Sequence, residues 1–342
     1  MPSAIRPISI PTIDFGKFTQ GSANEKAECC ELLRDSLSKH GFARIINSGI
    51  PDEDIDRCFQ FADEFFQMPS EAKQSVANMA GPTPQRGWSH LGAENSSSLY
   101  SSLVKTQVNK QRSDSRFWVP QEHWDQGHEE DKYFPNKWPS ESDITGFRPF
   151  MQSFYKSCER ISFQLLEALE LAMELPPVTF QSRIHNASEL RMNHYPPINV
   201  ESLREGSISR IWPHFDLGVL TMLWTAGASG LEFQNRLDAD GKSFIPVVPV
   251  SQYEMILNIS ETLQRWTNDV LPAGLHQVTM PPNLKGANEG VIPERFSIAY
   301  FCKANRETSV GTLPPFVHPV KGAKYEDITA LEYHQSRLKT AY

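Results

Sequence analysis

His214, Phe215 and Asp216 stand together inside the extended, β-rich run ISRIWPHFDLGVLTMLWTAGASG, from Ile208 to Gly230. Successive side chains of a strand leave on opposite faces, so His214 and Asp216 are expected on one side and Phe215 on the other. An imidazole and a carboxylate on one face make two corners of a metal site. A second imidazole there, with the other coordination positions open, gives the donor set that suits non-haem Fe(II) and its reactions with dioxygen. An HxD tripeptide alone is a weak signal, since many chains contain one by chance.

The second imidazole must come from the ten histidines of the chain. His276, in the strand-like run GLHQVTM, is the best third ligand. It lies far downstream of Asp216, so it must reach the site from another strand, as in a barrel whose strands converge on one interior. His194, His318 and His185 are rivals. His194 falls one residue off the face shared by Asn193 and Tyr195, so it is expected to point outward. Arg295 and Ser297 alternate within RFSIAYF, which puts both on one side of that strand. A guanidinium fork with a hydroxyl beside it suits a carboxylate. Arg191, Asn193 and Tyr195 alternate in the same way within RMNHY. Such groups aimed into an apolar interior are costly without an anionic ligand. An internal pair between Arg295 and an Asp or Glu would serve as well.

The elements that must position these residues change character along the chain. After a short extended opening, ISIPTIDF, the spacing predicts a helix from Asn24 to about Lys39, ended by Gly41. FARIIN reads as a strand and Asp52 to Met68 as a second helix, with Ile55, Cys58, Phe59, Ala62 and Phe66 near helical spacing. Residues 79 to 145 read as a long irregular connection, ordered by Trp88, Trp118, Trp124 and Trp138. A strong helical pattern runs from Phe147 to Leu175 and stops at Pro176 and Pro177. Short strand-like runs with Gly, Pro and Asn between them follow, the signature of a sandwich or barrel. A final helix is expected from Tyr325 to Ala341. The fold class is therefore α+β with a mainly β core. An N-terminal helical and irregular region occupies 1–145, and the long helix and β domain 146–342, with the metal-binding core at about 187–306.

Composition narrows the partners. A net charge of −8 without a long basic run argues against nucleic acid or an anionic membrane surface. No apolar run reaches membrane-spanning length, and the N-terminus has no signal-peptide core. The five cysteines, Cys29, Cys30, Cys58, Cys158 and Cys302, are irregularly spaced and form no CxxC pair. They suit free thiols in a reducing, cytoplasmic setting.

Taken in order, HxD, the distal His and RxS on a β core after a helical region resemble the Fe(II)/2-oxoglutarate-dependent dioxygenases, and most closely the isopenicillin N synthase-like branch. The resemblance covers nearly the whole chain: IPTIDF, HGFARIINSGIP, LRMNHYPP, HFDLGVLTMLW followed by GLEF, and LNISETLQRWTNDVLPAGLHQV. It implies a double-stranded β-helix, or jelly roll, with Fe(II) held by His214, Asp216 and His276. It implies that Arg295 and Ser297 hold the distal carboxylate of 2-oxoglutarate, with Tyr195 assisting and Asn193 near the chelating end. There are departures. Gln277 follows the distal His where the family usually has Arg, Ser260–Glu261 replaces Gly-Asp, and Met280 to Glu294 lengthens the link to Arg295.

The implied reaction couples oxidative decarboxylation of the cosubstrate, with O2, to attack on a substrate C–H bond. Hydroxylation, desaturation and rearrangement are all open to it. The protein's part is to place one bond and exclude water. Isopenicillin N synthase keeps RxS without using 2-oxoglutarate, so an oxidase of that type stays open, as does a non-catalytic binder on the same scaffold. The expected partner is a small molecule. Arg191 is the first candidate for an anionic or phenolic substrate group, against a structural ion pair. Arg210 and Trp212 share the face of His214 by alternation and are candidates for the mouth. Trp88, His90 and Phe117 are further candidates from the irregular region. The WPHFD variant and the long link resemble fungal tailoring enzymes for aromatic polyketides, which implies oxidation of a ring methyl group or ring expansion from it.

Overall fold

The computed structural model describes residues 10–79, 83–93, 120–204, 209–238, 241 and 243–338. Phe117 and Trp118 lie outside the described residues.

Strand β1 (Thr12–Asp14), helix α1 (Gly16–Gln20), helix α2 (Ala23–His40) and strand β2 (Phe42–Ile46) open the chain. Helix α2 starts at a capping box, in which the Ser22 backbone amide donates to Glu25 Oε2 and the Glu25 amide to Ser22 Oγ. It stops at Gly41, whose φ of 78° lies in the left-handed region. Helices α3 (Asp52–Gln67) and α4 (Ser70–Gln74), strands β3 (Gly87–Ser89) and β4 (Glu122–Gly127), and the long helix α5 (Phe147–Ala172) follow. The irregular region thus supplies two strands, and Trp88 and Trp124 are buried in them.

Strands β5 (Glu189–Tyr195) and β6 (Ile198–Asn199), helix α6 (Val200–Arg204), and strands β7 (Ile211–His214), β8 (Leu220–Gly227), β9 (Leu231–Gln234), β10 (Phe244–Pro246) and β11 (Met255–Ile259) come next. Helix α7 (Glu261–Trp266), strands β12 (His276–Val278), β13 (Val291–Ile292) and β14 (Arg295–Cys302), and helix α8 (Ala330–Leu338) complete the order. The last helix starts later than its periodicity predicts. The Ile328 carbonyl accepts from Val310 and Thr329 bridges to Ser309, which keeps that segment extended; Thr329 then caps α8 by accepting from the Glu332 amide.

The strands form two main sheets. One has eight strands in the order β1-β2-β11-β8-β14-β5-β4-β3, and the other four in the order β10-β9-β12-β7. Strands from before residue 145 therefore flank the larger sheet on both edges. Helices α2, α3 and α5 join its strands in one core through Leu33, Leu37, Phe61, Phe65, Phe154 and Leu165, all nearly or fully buried. The two sheets meet where Phe42 stacks on Phe233, ring centroids 3.6 Å apart. Among the described residues no helix is long and apolar enough to cross a membrane.

Candidate active site

The site lies between the sheets. His214 is the last residue of β7 and faces His276, the first of β12, as its direct cross-strand partner. Their rings are 4.2 Å apart. Asp216 lies beyond the strand, so simple alternation does not bring it to His214. The N-terminus of α7 does: the Glu261 amide donates to the Asp216 carbonyl at 2.8 Å and the Thr262 amide to that of Gly218 at 2.9 Å. These bonds turn the chain so that Asp216 Oδ1 lies 3.5 Å from His214 Nε2 and 3.9 Å from His276 Nε2. One donor atom from each of the three residues lies within 4.8 Å of the others.

The surroundings prepare these donors. His214 Nδ1 bonds the Trp212 carbonyl at 3.0 Å, and His276 Nδ1 that of Gly274 at 3.1 Å. A proton donated from Nδ1 leaves each Nε2 with a lone pair facing inward. Asp216 Oδ2 accepts from Asn258 Nδ2 at 2.8 Å. Burial pushes the Asp216 carboxyl up, but the two imidazoles, Thr221 and Asn258 outweigh it and hold it below the ordinary aspartate value. The loop also depends on a close approach: a Cβ on Gly218 would lie 2.5 Å from the Cys302 carbonyl oxygen. Gly218→Ala is therefore expected to displace the loop, cost about 1–3 kcal/mol of stability and weaken Fe(II) binding. A thermal melt and a metal titration check this; native values for both would mean that the loop is free to relax.

Arg295 and Ser297 leave the same side of β14, opposite Tyr195 and Asn193 of β5. This pair of strands is regular, so alternation holds. Asn193 Nδ2 and Arg295 Nη1 both donate to Ser297 Oγ, at 3.2 and 3.3 Å. Arg295 is 2% exposed, and its guanidinium lies over the Tyr195 ring, 4.7 Å from the centroid. No carboxylate among the described residues pairs with it, and burial draws its pKa down. It shares a cavity of about 220 Å³ with the triad.

Arg191 also borders the cavity, with its Nε 2.7 Å from Asp125 Oδ1 and its Nη2 donating to Gln85 Oε1 at 2.7 Å. The ion pair and the cavity position coexist. Arg210 and Trp212 do not reach the wall. A bulge in β7 pairs Val278 with Ile211 and His276 with His214, so Ile211 and His214 line the cavity in spite of their odd spacing. Trp88 and His90 also fall outside the wall: the Trp88 indole donates to Glu122, and His90 is exposed. His194 bonds Glu122 and Glu294 through its two ring nitrogens, away from the triad.

Several wall residues had no signal in the sequence. Helix α8 contributes Leu331, His334 and Gln335. Its position is fixed by Glu261, which accepts from Tyr333 Oη at 2.7 Å and from Arg337 Nη2 at 3.1 Å. The Ser260–Glu261 departure thus gives the helix that holds the Asp216 loop a side chain that also anchors α8. The other two departures meet at Glu232, which accepts from Gln277 Nε2 and from Lys285 of the long link. Among the described residues the wall contains no cysteine, methionine or tryptophan.

Two histidines and a carboxylate lie beside a buried guanidinium that no carboxylate among the described residues pairs with, an arrangement that suits a metal and an anionic ligand. Comparison with known proteins agrees. Residues 187–304 match the model of the 2OG-Fe(II) oxygenase superfamily, and residues 10–141 that of the N-terminal region of a non-haem dioxygenase in morphine synthesis. The chain is 45% identical to the 2-oxoglutarate-dependent dioxygenase phqC of Penicillium fellutanum, covering 96% of this chain and 94% of that one. It is 42% identical to ucsF of an Acremonium species, over 98% and 100% of the two chains. The crystal structure of a full-length Neurospora crassa protein in complex with alpha-KG superposes with a TM-score of 0.83 at 28% identity, covering 98% of each chain. The protein belongs to the 2OG-Fe(II) oxygenase superfamily and is an Fe(II)- and 2-oxoglutarate-dependent dioxygenase, similar to fungal 2-oxoglutarate-dependent dioxygenases.

Proposed function

We propose that His214, Asp216 and His276 hold the iron, and that Arg295, Ser297 and Tyr195 hold the distal carboxylate of 2-oxoglutarate, with Asn193 toward its chelating end. The buried Arg295, without a carboxylate partner among the described residues and in the cavity of the triad, carries this reading. The donor set suits the metal, since it gives two neutral nitrogens, one carboxylate oxygen and open positions. Bound iron and cosubstrate supply the power to activate O2 and break a substrate C–H bond. The chain's own residues do the rest. Asn258 and the α7 amides fix Asp216, the two carbonyls fix the imidazoles, and α8 with the wall keeps bulk water from the reacting bond.

The substrate is read as a small natural-product-type molecule, aromatic or polyketide-like, with hydroxylation or methyl oxidation as the simplest outcomes. Phe215 and Phe301 offer apolar faces on the cavity wall, and Arg191 an orienting partner for an anionic or phenolic group. We read the two facing sheets as the halves of a double-stranded β-helix, with residues 1–145 as its flanking region. The buried free thiols suit a cytoplasmic setting.

The test is anaerobic. Fe(II) and then 2-oxoglutarate are added to the metal-free protein, and the visible spectrum is recorded. A weak charge-transfer band that needs both additions, followed by succinate release with O2, is the expected result. Bound iron with no band would instead favour an oxidase without cosubstrate or a non-catalytic binder, and would remove the role given to Arg295.

A further inference from the structure

Behind Tyr195 lies a second buried cation. Arg210 is 0% exposed, and its guanidinium lies 6.0 Å from the centroid of the Tyr195 ring on which Arg295 also packs. Its Nη2 donates to the carbonyls of Pro196 at 3.3 Å and Pro293 at 2.8 Å. Its Nε and Nη1 are buried and have no hydrogen-bond partner among the described residues. No ion pair joins it to a carboxylate among the described residues. Burial and the charge of Arg295 draw its pKa down to about 10.

A buried guanidinium without a counter-charge is costly, and two around one phenol ring are more so. A neutral residue of the same length could fill the space. The two bonds that Arg210 does make hold the backbone beside Tyr195 and the backbone two residues before Arg295, so it brackets the two strand ends that carry the anion site. We propose that Arg210 is a positioning residue of the cosubstrate pocket. It fixes Tyr195 and Arg295, and its charge adds to the attraction for a second, distal carboxylate on the 2-oxo acid. It thereby raises selectivity for a dicarboxylic 2-oxo acid over a monocarboxylic one. The inference rests on the assignment of the distal carboxylate to Arg295 made above.

The test separates charge from scaffolding. R210Q keeps an amide donor for the carbonyls and removes the charge; R210K keeps the charge. Anaerobic titrations of each Fe(II)-loaded variant with 2-oxoglutarate and with 2-oxobutanoate, which lacks the distal carboxylate, are read by the charge-transfer band and by calorimetry. The expected result is a roughly tenfold weaker affinity of R210Q for 2-oxoglutarate, the scale of one unscreened charge at several ångströms. Fe(II) and 2-oxobutanoate affinities should stay unchanged, and R210K should recover most of the loss. Native 2-oxoglutarate affinity in R210Q would overturn the proposal. An equal loss for both acids would also overturn it, by making Arg210 a plain structural staple. Should R210Q not fold, R210K decides: near-native preference for 2-oxoglutarate over 2-oxobutanoate supports the proposal, and loss of that preference overturns it. R295M is the control for the underlying assignment, since native affinity there would remove that assignment, whatever R210Q does.

Discussion

Replacing His276 by alanine is expected to abolish turnover, by about 10³-fold or more, while the protein stays folded. Residues that only orient a metal ligand are commonly worth about 10–100-fold, and removal of a ligand itself should exceed that. His276 is one of three donors in the single group that the described residues offer to a metal ion. Without it one imidazole and one carboxylate remain. The structural cost is smaller. The ring is held by its bond to the Gly274 carbonyl and an edge contact with Phe42, centroids 6.1 Å apart. Iron titration and succinate release measure the effect. Turnover within about tenfold of the unaltered protein would sink the triad assignment. Because an imidazole binds metal only when neutral, iron affinity of the native protein should also fall in acid if His214 and His276 are ligands.

Asp131→Asn is expected to cost about 3–5 kcal/mol of stability, the scale for removing one partner from a buried ion pair. Asp131 accepts from Arg86 at 3.0 Å and also from Arg306, with side-chain exposures of 0% for the aspartate and 4% for Arg86. Asparagine would leave two guanidinium groups facing an uncharged amide. Arg86 also pairs with Glu189, which bonds Lys303, so the charges form one group, with Glu189, Lys303 and Arg306 on the cavity wall. Burial raises the Glu189 carboxyl, but Lys303 and Arg86 outweigh it and bring it down to about 2. A carboxyl held below its unfolded value contributes stability that is complete above that value. The contribution is lost as pH falls from the ordinary 4.5 toward about 2. Denaturant unfolding at neutral pH measures the substitution, and a loss under about 1 kcal/mol would mean that the group is effectively solvated. Acid titration of the unaltered protein should show the carboxyl's contribution draining away across that window.

Regular strands explain how much of this was legible in the sequence. Strands β5 and β14 pair without interruption, so alternation alone placed Arg295, Ser297, Asn193 and Tyr195 on one wall. Helices α2, α3 and α5 followed their apolar spacing because each buries one stripe against the larger sheet. The errors came where the backbone departs from regularity. The bulge in β7 removed Arg210 and Trp212 from the wall, and Asp216 reached the triad through a loop held by α7 rather than through a strand. Helix α8 was visible as a helix, but its approach to the cavity depends on Glu261, which lies far upstream of its partners Tyr333 and Arg337. Strands β3 and β4, at one end of the larger sheet, are formed by residues with weak periodicity, because their three- and six-residue lengths are buried throughout.

The make-up of the cavity wall bears on how long the enzyme can survive its own chemistry. The chain has five cysteines and nine methionines, yet none lines the cavity among the described residues. Sulfur is the side-chain atom that oxidants attack most readily. Cys58, Cys158 and Cys302 are buried elsewhere as protonated thiols, their pKa values pushed up by desolvation. An oxidising equivalent released without substrate therefore finds no sulfur on the described wall, and Phe215, Phe301 and Tyr195 are the aromatic rings it offers. Self-inactivation on idle turnover should appear as hydroxylated rings in a peptide map, with the thiol count unchanged.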